Sequence, residues 1–255
     1  MEEKEVYSFS RLNSFHQCRY QWYLSYIKHS KQTNNAFGEY GTFVHEIFEK
    51  YALGEYELEN LVDIYEWGFD DAVEAEFPPN KYVDLRDSYY ETGLEFFKSW
   101  EGYDGCEILG VEKHFEIPIS DFLLQGFIDI AFIDEDGRYI LRDYKSSKNI
   151  SKNDLQSKIR QPLLYSIYFK EAWGRYPDAL QFYTFRNPDK HVVEVEFSEE
   201  AMNDAVDWAI NTVAQIRDEY EFPQEPNEFF CTSLCGHRNT CEYGDSRKHR
   251  KYMRR

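Results

Sequence analysis

The sequence is poor in positive charge, in cysteine and in long apolar runs. Lysine and arginine number 29 against 47 acidic residues, for a formal net charge of −18. That balance weighs against a partner gripped by broad phosphate neutralisation, which needs Lys and Arg. It does not exclude a local grip, because salt screens charges beyond about 10 Å. The basic residues are also concentrated: residues 246–255 carry six and no acidic side chain. The chain contains no apolar run of the length a membrane-spanning helix needs. Residues 1–7 are polar and acidic, without the basic-then-apolar layout of a secretion signal, so a cytoplasmic location is expected. No repeat or low-complexity segment stands out. In a cytoplasmic chain, five cysteines read as metal ligands more readily than as a disulfide framework. Aromatic residues are plentiful, with 21 Tyr and 20 Phe. A chain that rich in rings folds around a core, and 255 residues suffice for one large domain.

Apolar residues at helical spacing predict a helix over residues 10–27 (Leu12, Phe15, Trp22, Tyr23, Tyr26), capped by Ser8 or Ser10. A second follows over 41–53, with Phe43, Val44, Ile47, Phe48 and Tyr51, and two more over 57–76 and 83–100. Alternation predicts strands over 106–119, 123–133 and 139–145, the last two joined by the turn Asp134-Glu135-Asp136-Gly137. A helix over 155–173, strands over 180–185 and 192–197 around Asn187-Pro188-Asp189, and a helix from a Ser198 cap to about 220 complete the pattern. The expected fold class is α/β, more narrowly α+β, with a mixed sheet flanked by helices. The expected layout is a single domain: a helical insertion in 1–101, a core in 102–220, a cysteine-rich tail in 221–245 and a basic tail in 246–255.

The most informative residues lie on the acidic hairpin. Asp143 and Lys145 share one strand face. If Glu135-Asp136-Gly137 is the loop, with Gly137 left-handed, Asp129 stands opposite Asp143. Phe127, Ala131 and Leu141 make the same face apolar. Two like charges there repel unless a cation lies between them. Mg2+ takes oxygen ligands and keeps several waters, so one or two carboxylates suffice. Such an ion suits phosphodiester hydrolysis, and a neighbouring Lys can orient the nucleophile or stabilise developing charge. A lone D-x-K would be a solvent-exposed ion pair; the apolar strands around this one favour a site. Glu112 and Glu116, on the preceding strand, are weaker candidates for supporting the ion or holding a second one, and read sooner as polar-face residues. Arg11, Arg19, Tyr20, Trp22, Lys158 and Arg160 are candidates for contacts with a strand of DNA, which combine cations with aromatic faces.

These segments resemble the RecB-like branch of the PD-(D/E)XK nuclease superfamily. The match comprises Gly126-x-x-Asp129, Asp143-Tyr144-Lys145, Gln161-x-x-x-Tyr165 on a helix, and Gly41-x-x-x-His45-x-x-x-Glu49 upstream. Ile128 replaces the proline before the first aspartate, which removes no ligand. The resemblance implies a restriction-endonuclease-like core. It implies Mg2+ or Mn2+ held by His45, Asp129, Asp143 and the backbone carbonyl of Tyr144. Lys145 would be the catalytic lysine, acting with Asp129 and Asp143, and Gln161 and Tyr165 would support the site. The implied activity is metal-dependent DNA cleavage, as an exonuclease on single-stranded ends more than as an endonuclease. DNA repair, recombination and phage or CRISPR DNA processing are the implied settings, with protein partners in a processing complex. The alternative is a weak or inactive DNA-binding subunit of a larger complex, to which the acidic charge leaves room.

Cys231, Cys235 and Cys241 fall within eleven residues and suit a thiolate-held centre. The resemblance adds Cys18 as the fourth ligand and implies a 4Fe–4S cluster, spanning the chain from its first helix to its tail. Three residues separate Cys231 from Cys235, where the branch usually has two. Four thiolates also suit Zn2+, which stays the alternative. Cys106 belongs to neither site and is expected to fill the core.

Overall fold

A computed structural model describes residues 4–187 and 191–244. The expected basic tail at 246–255 lies outside the described residues, as do Pro188 and Asp189 of the expected turn. A short strand β1 (Val6–Ser8) leads into helices α1 (Phe9–Gln17), α2 (Arg19–Tyr26), α3 (Ala36–Ala52), α4 (Leu61–Ala72) and α5 (Leu85–Ser99). Strands β2 (Glu107–Ile119), β3 (Phe122–Ile133) and β4 (Tyr139–Lys145) follow. Helices α6 (Lys152–Lys158) and α7 (Arg160–Trp173) cross to β5 (Ala179–Thr184), then come β6 (Val192–Glu196) and α8 (Glu199–Asp218). Among the described residues the strands form one sheet in the order β1-β3-β4-β5-β6, with β2 on the other edge of β3. β1 runs parallel to β3 and β4 parallel to β5, while the remaining pairs are antiparallel. The mixed α/β sheet expected from the order of elements is therefore present.

Each face of the sheet carries its own core. On one, α1, α7 and α8 bury Phe15, Leu164, Phe169 and Val213 against Leu124, Ile128 and Leu141. On the other, α3, α4 and α5 bury Tyr40, Phe48, Tyr65 and Phe97 against Ile130, Phe132, Ile140 and Tyr144. Each buried ring contributes roughly 1.5–3 kcal/mol relative to exposure. The alternation of β3 changes sides between these sets: Ile128 faces one core and Ile130 the other. The change of side falls at Asp129.

Two predicted helices are each split. The run over 10–27 breaks at Cys18, whose extended backbone (φ −166°, ψ 111°) ends α1 and caps α2. The run over 155–173 begins at Lys152, after a Ser151 cap, and is interrupted at Ile159. Spacing alone misses both breaks, because apolar residues recur at helical intervals across each of them. α3 starts earlier than expected, where Asn35 accepts the Gly38 N–H at 3.0 Å. Ser8 and Ser198 cap α1 and α8 as read from the sequence. β1 was not anticipated: three residues are too few for periodicity to register.

Candidate active site

The position of Asp129 follows from how β3 shares its edges. β2 pairs along nearly the whole of one edge. The other is divided: β1 covers Leu123 to Gln125 and β4 covers Ile130 to Ile133, so residues 126–129 have no strand neighbour there among the described residues. Asp129 sits where β3 and β4 part. Its Oδ2 accepts the Tyr144 N–H at 2.8 Å, replacing the ladder bond lost at the split. Continuing the register Ile130↔Arg142 by one step sets Asp129 opposite Asp143, as the hairpin reading required. Gly137 takes the left-handed conformation at φ +78° and donates to Asp134 O at 2.9 Å. Phe127 corrects the expectation of an apolar lining. It is 54% exposed, on the stretch of β3 that neither β1 nor β4 covers.

His45 reaches this point through the packing of α3. Val44, Ile47 and Phe48 bury the helix face, and Phe48 stacks on the Tyr144 ring at 4.2 Å. The imidazole is thereby turned to the strand split. Its Nε2 lies 3.2 Å from Tyr144 O and its Nδ1 3.8 Å from Asp129 Oδ2. Glu112 completes the group. Its backbone is left-handed (φ +42°) and interrupts the ladder between Val111↔Ile130 and Lys113↔Ile128. Such a conformation in a non-glycine residue costs roughly 1–3 kcal/mol and gathers at functional sites. Ligand atoms of His45, Glu112 and Asp129 all lie within 4.8 Å of one another. Glu49, one helical turn beyond His45, lines the same open groove of about 720 Å3. Glu112 was read as a polar-face residue. The signal that finds it is the tight turn at Ser120-Asp121: closing the hairpin at Ile119↔Phe122 sets Glu112 opposite Asp129.

Without a cation this arrangement is electrostatically unfavourable. Burial, then the charges of Asp129, Glu49 and Asp143, push Glu112 up to about 8. Burial and Asp143 also hold Asp129 well above the usual carboxylate range, against the opposing pull of His45 and Lys145. Imidazole and carboxylate oxygens at this spacing suit a divalent ion. Glu112→Gln tests the accounting. An acid raised in the folded state makes the folded state hold the extra proton, so metal-free stability falls as pH climbs from 4.5 towards about 8. In EDTA at pH above 8, Glu112→Gln should be more stable than the parent by roughly 1–2 kcal/mol after solvent screening, and equal at pH 4. Urea unfolding at the two pH values checks it; a destabilised variant at high pH contradicts it.

On the other side of the split, Asp143 and Lys145 share a face as predicted. Lys145 Nζ lies 2.5 Å from Asp143 Oδ2 and donates to Gln161 Oε1 at 3.4 Å. Burial alone would depress the ammonium, but Asp143 and Asp129 outweigh it and raise Lys145 above its ordinary value. Asp143 is only 7% exposed, and its Oδ2 lacks a well-directed hydrogen bond despite the close ammonium. It stands outside the tight trio of His45, Glu112 and Asp129. Tyr165 lies one turn along α7 from Gln161, and burial, then the charge of Asp143, raises its phenol. Its ring passes directly over Gly126, where an added Cβ would come 2.7 Å from Tyr165 Cζ and 2.8 Å from Phe115 Cζ. The glycine of the G-x-x-D segment is needed for that close approach.

The cysteines gather at the other end of the chain's path. The tail docks on the N-terminal segment: Tyr20 N–H donates to Pro223 O at 3.2 Å and Thr33 N–H to Gly236 O at 2.8 Å. Ser25 Oγ and His237 Nε2 are 2.9 Å apart. Cys18, Cys231 and Cys235 are buried and Cys241 half-buried, all free of disulfides. Burial, then the nearby thiols, pushes Cys235 up to about 11, and burial with Cys18 and Cys241 also raises Cys231. The four thiols thus lie within electrostatic reach. Cys106 is half-buried at the fringe of the second core, apart from that group.

Five of the six candidate DNA contacts are already engaged elsewhere. Arg11 donates to Val6 O and lies against Tyr7, Trp22 and Tyr26, and Trp22 is itself core. Arg19 pairs with Glu219 at 2.8 Å, Arg160 covers the Trp208 ring, and Tyr20 stacks on Tyr23. Lys158 is depressed by burial and by Lys145, within electrostatic reach of the Asp143–Lys145 pair.

Among the described residues, no helix is long and apolar enough to cross a membrane. No curated protein shows significant sequence similarity. Among solved structures, a candidate exonuclease of Eubacterium rectale is similar with a TM-score of 0.49 at 10% identity, over 84% of this chain and 82% of that one. A protein named SSO0001 gives a TM-score of 0.40 at 16% identity, over 95% of this chain and 88% of that one. A family model for the PD-(D/E)XK nuclease superfamily matches residues 6–242, which include the hairpin acids, His45 and all four clustered cysteines. The chain belongs to the PD-(D/E)XK nuclease superfamily.

Proposed function

We propose that the protein is a Mg2+- or Mn2+-dependent deoxyribonuclease of the RecB-like branch that trims single-stranded DNA ends in the cytoplasm. The observation that carries this reading is the meeting of His45, Asp129 and the Asp143–Lys145 pair from separate elements. His45, Asp129 and Glu112 would hold the ion, with the Tyr144 carbonyl and Asp143 at its border. Such an ion neutralises phosphate charge and lowers the pKa of bound water. Lys145, held between Asp143 and Gln161, presents an ammonium to the developing negative charge on the phosphate. Asp129 keeps β4 in place by gripping the Tyr144 amide, so the carboxylate that would bind the ion also positions the strand. Tyr165 and Gly126 pack as a lid against the core and exclude water from that side. The whole chain would act as one domain.

Cys18, Cys231, Cys235 and Cys241 would hold a 4Fe–4S cluster that fixes the tail and positions the strand. The mutual influence of these thiols across the seam between the first helices and the tail supports a shared centre, and a single Zn2+, which four thiolates also suit, is the alternative.

The function is tested with end-labelled linear and circular single-stranded DNA in Mn2+ or EDTA. Metal-dependent loss of linear strands alone is the expected result. Nicked circles would make the enzyme an endonuclease. No cleavage, with Lys145→Ala indistinguishable from the parent, would leave a non-cleaving DNA-binding subunit.

A further inference from the structure

We infer that the exposed rings of Phe127 and His114 form a stacking platform for an unpaired base of the strand being cut, beside the acidic cluster. The inference rests on the nuclease reading above and names the feature that would select single strands. Phe127 and His114 face each other across β2 and β3 with ring centroids 4.8 Å apart. Both are exposed, Phe127 at 54%. A lone exposed ring is ordinary; the location of this pair is not. It occupies the stretch of β3 between the parts covered by β1 and by β4. Phe127 stands two residues from Asp129, and His114 two residues from Glu112. Two residues of strand span about 6.6 Å, or about two base steps at 3.4 Å each. A strand whose phosphate reaches Asp129 therefore brings its first or second base to the rings.

The chemistry of the surface selects the occupant. Two rings make a smaller apolar area than the patch of a few hundred square ångströms that marks a protein-docking site. A duplex offers base edges and phosphates to a protein and keeps its base faces stacked. Only an unpaired base can lie flat on Phe127, and every base has such a face, so the platform would be tolerant of sequence.

The test compares kcat/KM in Mn2+ for single-stranded oligonucleotides bearing every base with the same strands abasic at the first or second nucleotide from the cleaved bond. The parent should prefer the base-bearing strand about tenfold, equal to about 1.4 kcal/mol. Phe127→Ala should lose that preference, Phe127→Trp should keep it and His114→Ala should lose part of it. The losses from Phe127→Ala and from the abasic residue should not add. A Phe127→Ala enzyme that discriminates as well as the parent overturns the platform. Failure of the nuclease reading is distinguishable, because the parent would then cleave neither strand. In that case 2-aminopurine at the same position decides the matter with Ca2+ present: quenching on binding that is lost in Phe127→Ala upholds the platform, and equal quenching in both rejects it.

Discussion

Replacing Asp143 with asparagine lowers DNA cleavage by at least about a thousandfold while the protein stays folded. A factor of that size corresponds to about 4 kcal/mol in the barrier, the range expected when a preorganised charge is removed from a phosphoryl-transfer site. Asp143 is buried and lies 2.5 Å from the Lys145 ammonium. Its loss frees Lys145 from the position in which it can meet the phosphate. The effect on folding is smaller because two contributions oppose each other. Stranding a buried cation destabilises, but Asp143 is also one of the charges that raise Glu112 and Asp129. Lys145 further keeps Gln161 as a partner and Asp129 as a counter-charge. The melting temperature should move by only a few degrees, as circular dichroism would show. Cleavage within tenfold of the parent removes Asp143 from the chemistry.

Cys18→Ser produces the other large effect, on stability. Cys18 and the tail cysteines lie more than two hundred residues apart in the chain. A metal centre joining them closes that loop and restricts the unfolded chain, by about 5 kcal/mol if a metal link acts as other cross-links do. At about 2–4 °C per kcal/mol for a chain of this size, melting should fall by about 10–20 °C. Iron content and visible absorption should fall with it, and Cys106→Ser should change neither. The tail should not detach fully, because backbone bonds from Tyr20 and Thr33 hold it independently. Thiols raised by burial and by one another also hold their protons when the centre is empty. Loading must release them, so the centre should be lost more readily as pH falls. A colourless Cys18→Ser protein that melts with an equally colourless parent argues for reduced, unligated thiols.

What could be read from the sequence was set by local chemistry. The β3–β4 hairpin was legible to the register, because Gly137 is the residue a left-handed turn position demands and the turn fixes which residues oppose. The shared face of Asp143 and Lys145 followed from strand alternation, whereas Gln161 and Tyr165 were singled out by the resemblance, helical spacing showing only that they share a helix face. The convergence of His45 needed the resemblance, since nothing local ties α3 to β4; the tie is the stacking of Phe48 on Tyr144. The split of β3 between β1 and β4 was not legible, because it depends on a three-residue strand from far upstream. That split explains both misplacements. It leaves Phe127 in the open, and it accompanies the strand irregularity that swings Glu112 towards Asp129.

The most direct measurement is calorimetric titration of Mn2+ into metal-free parent, Asp129→Asn and His45→Ala proteins. The parent should bind Mn2+, and each variant should lose at least about a hundredfold in affinity with an unchanged circular dichroism spectrum. Parent-like affinity in either variant would mean that these side chains do not share an ion.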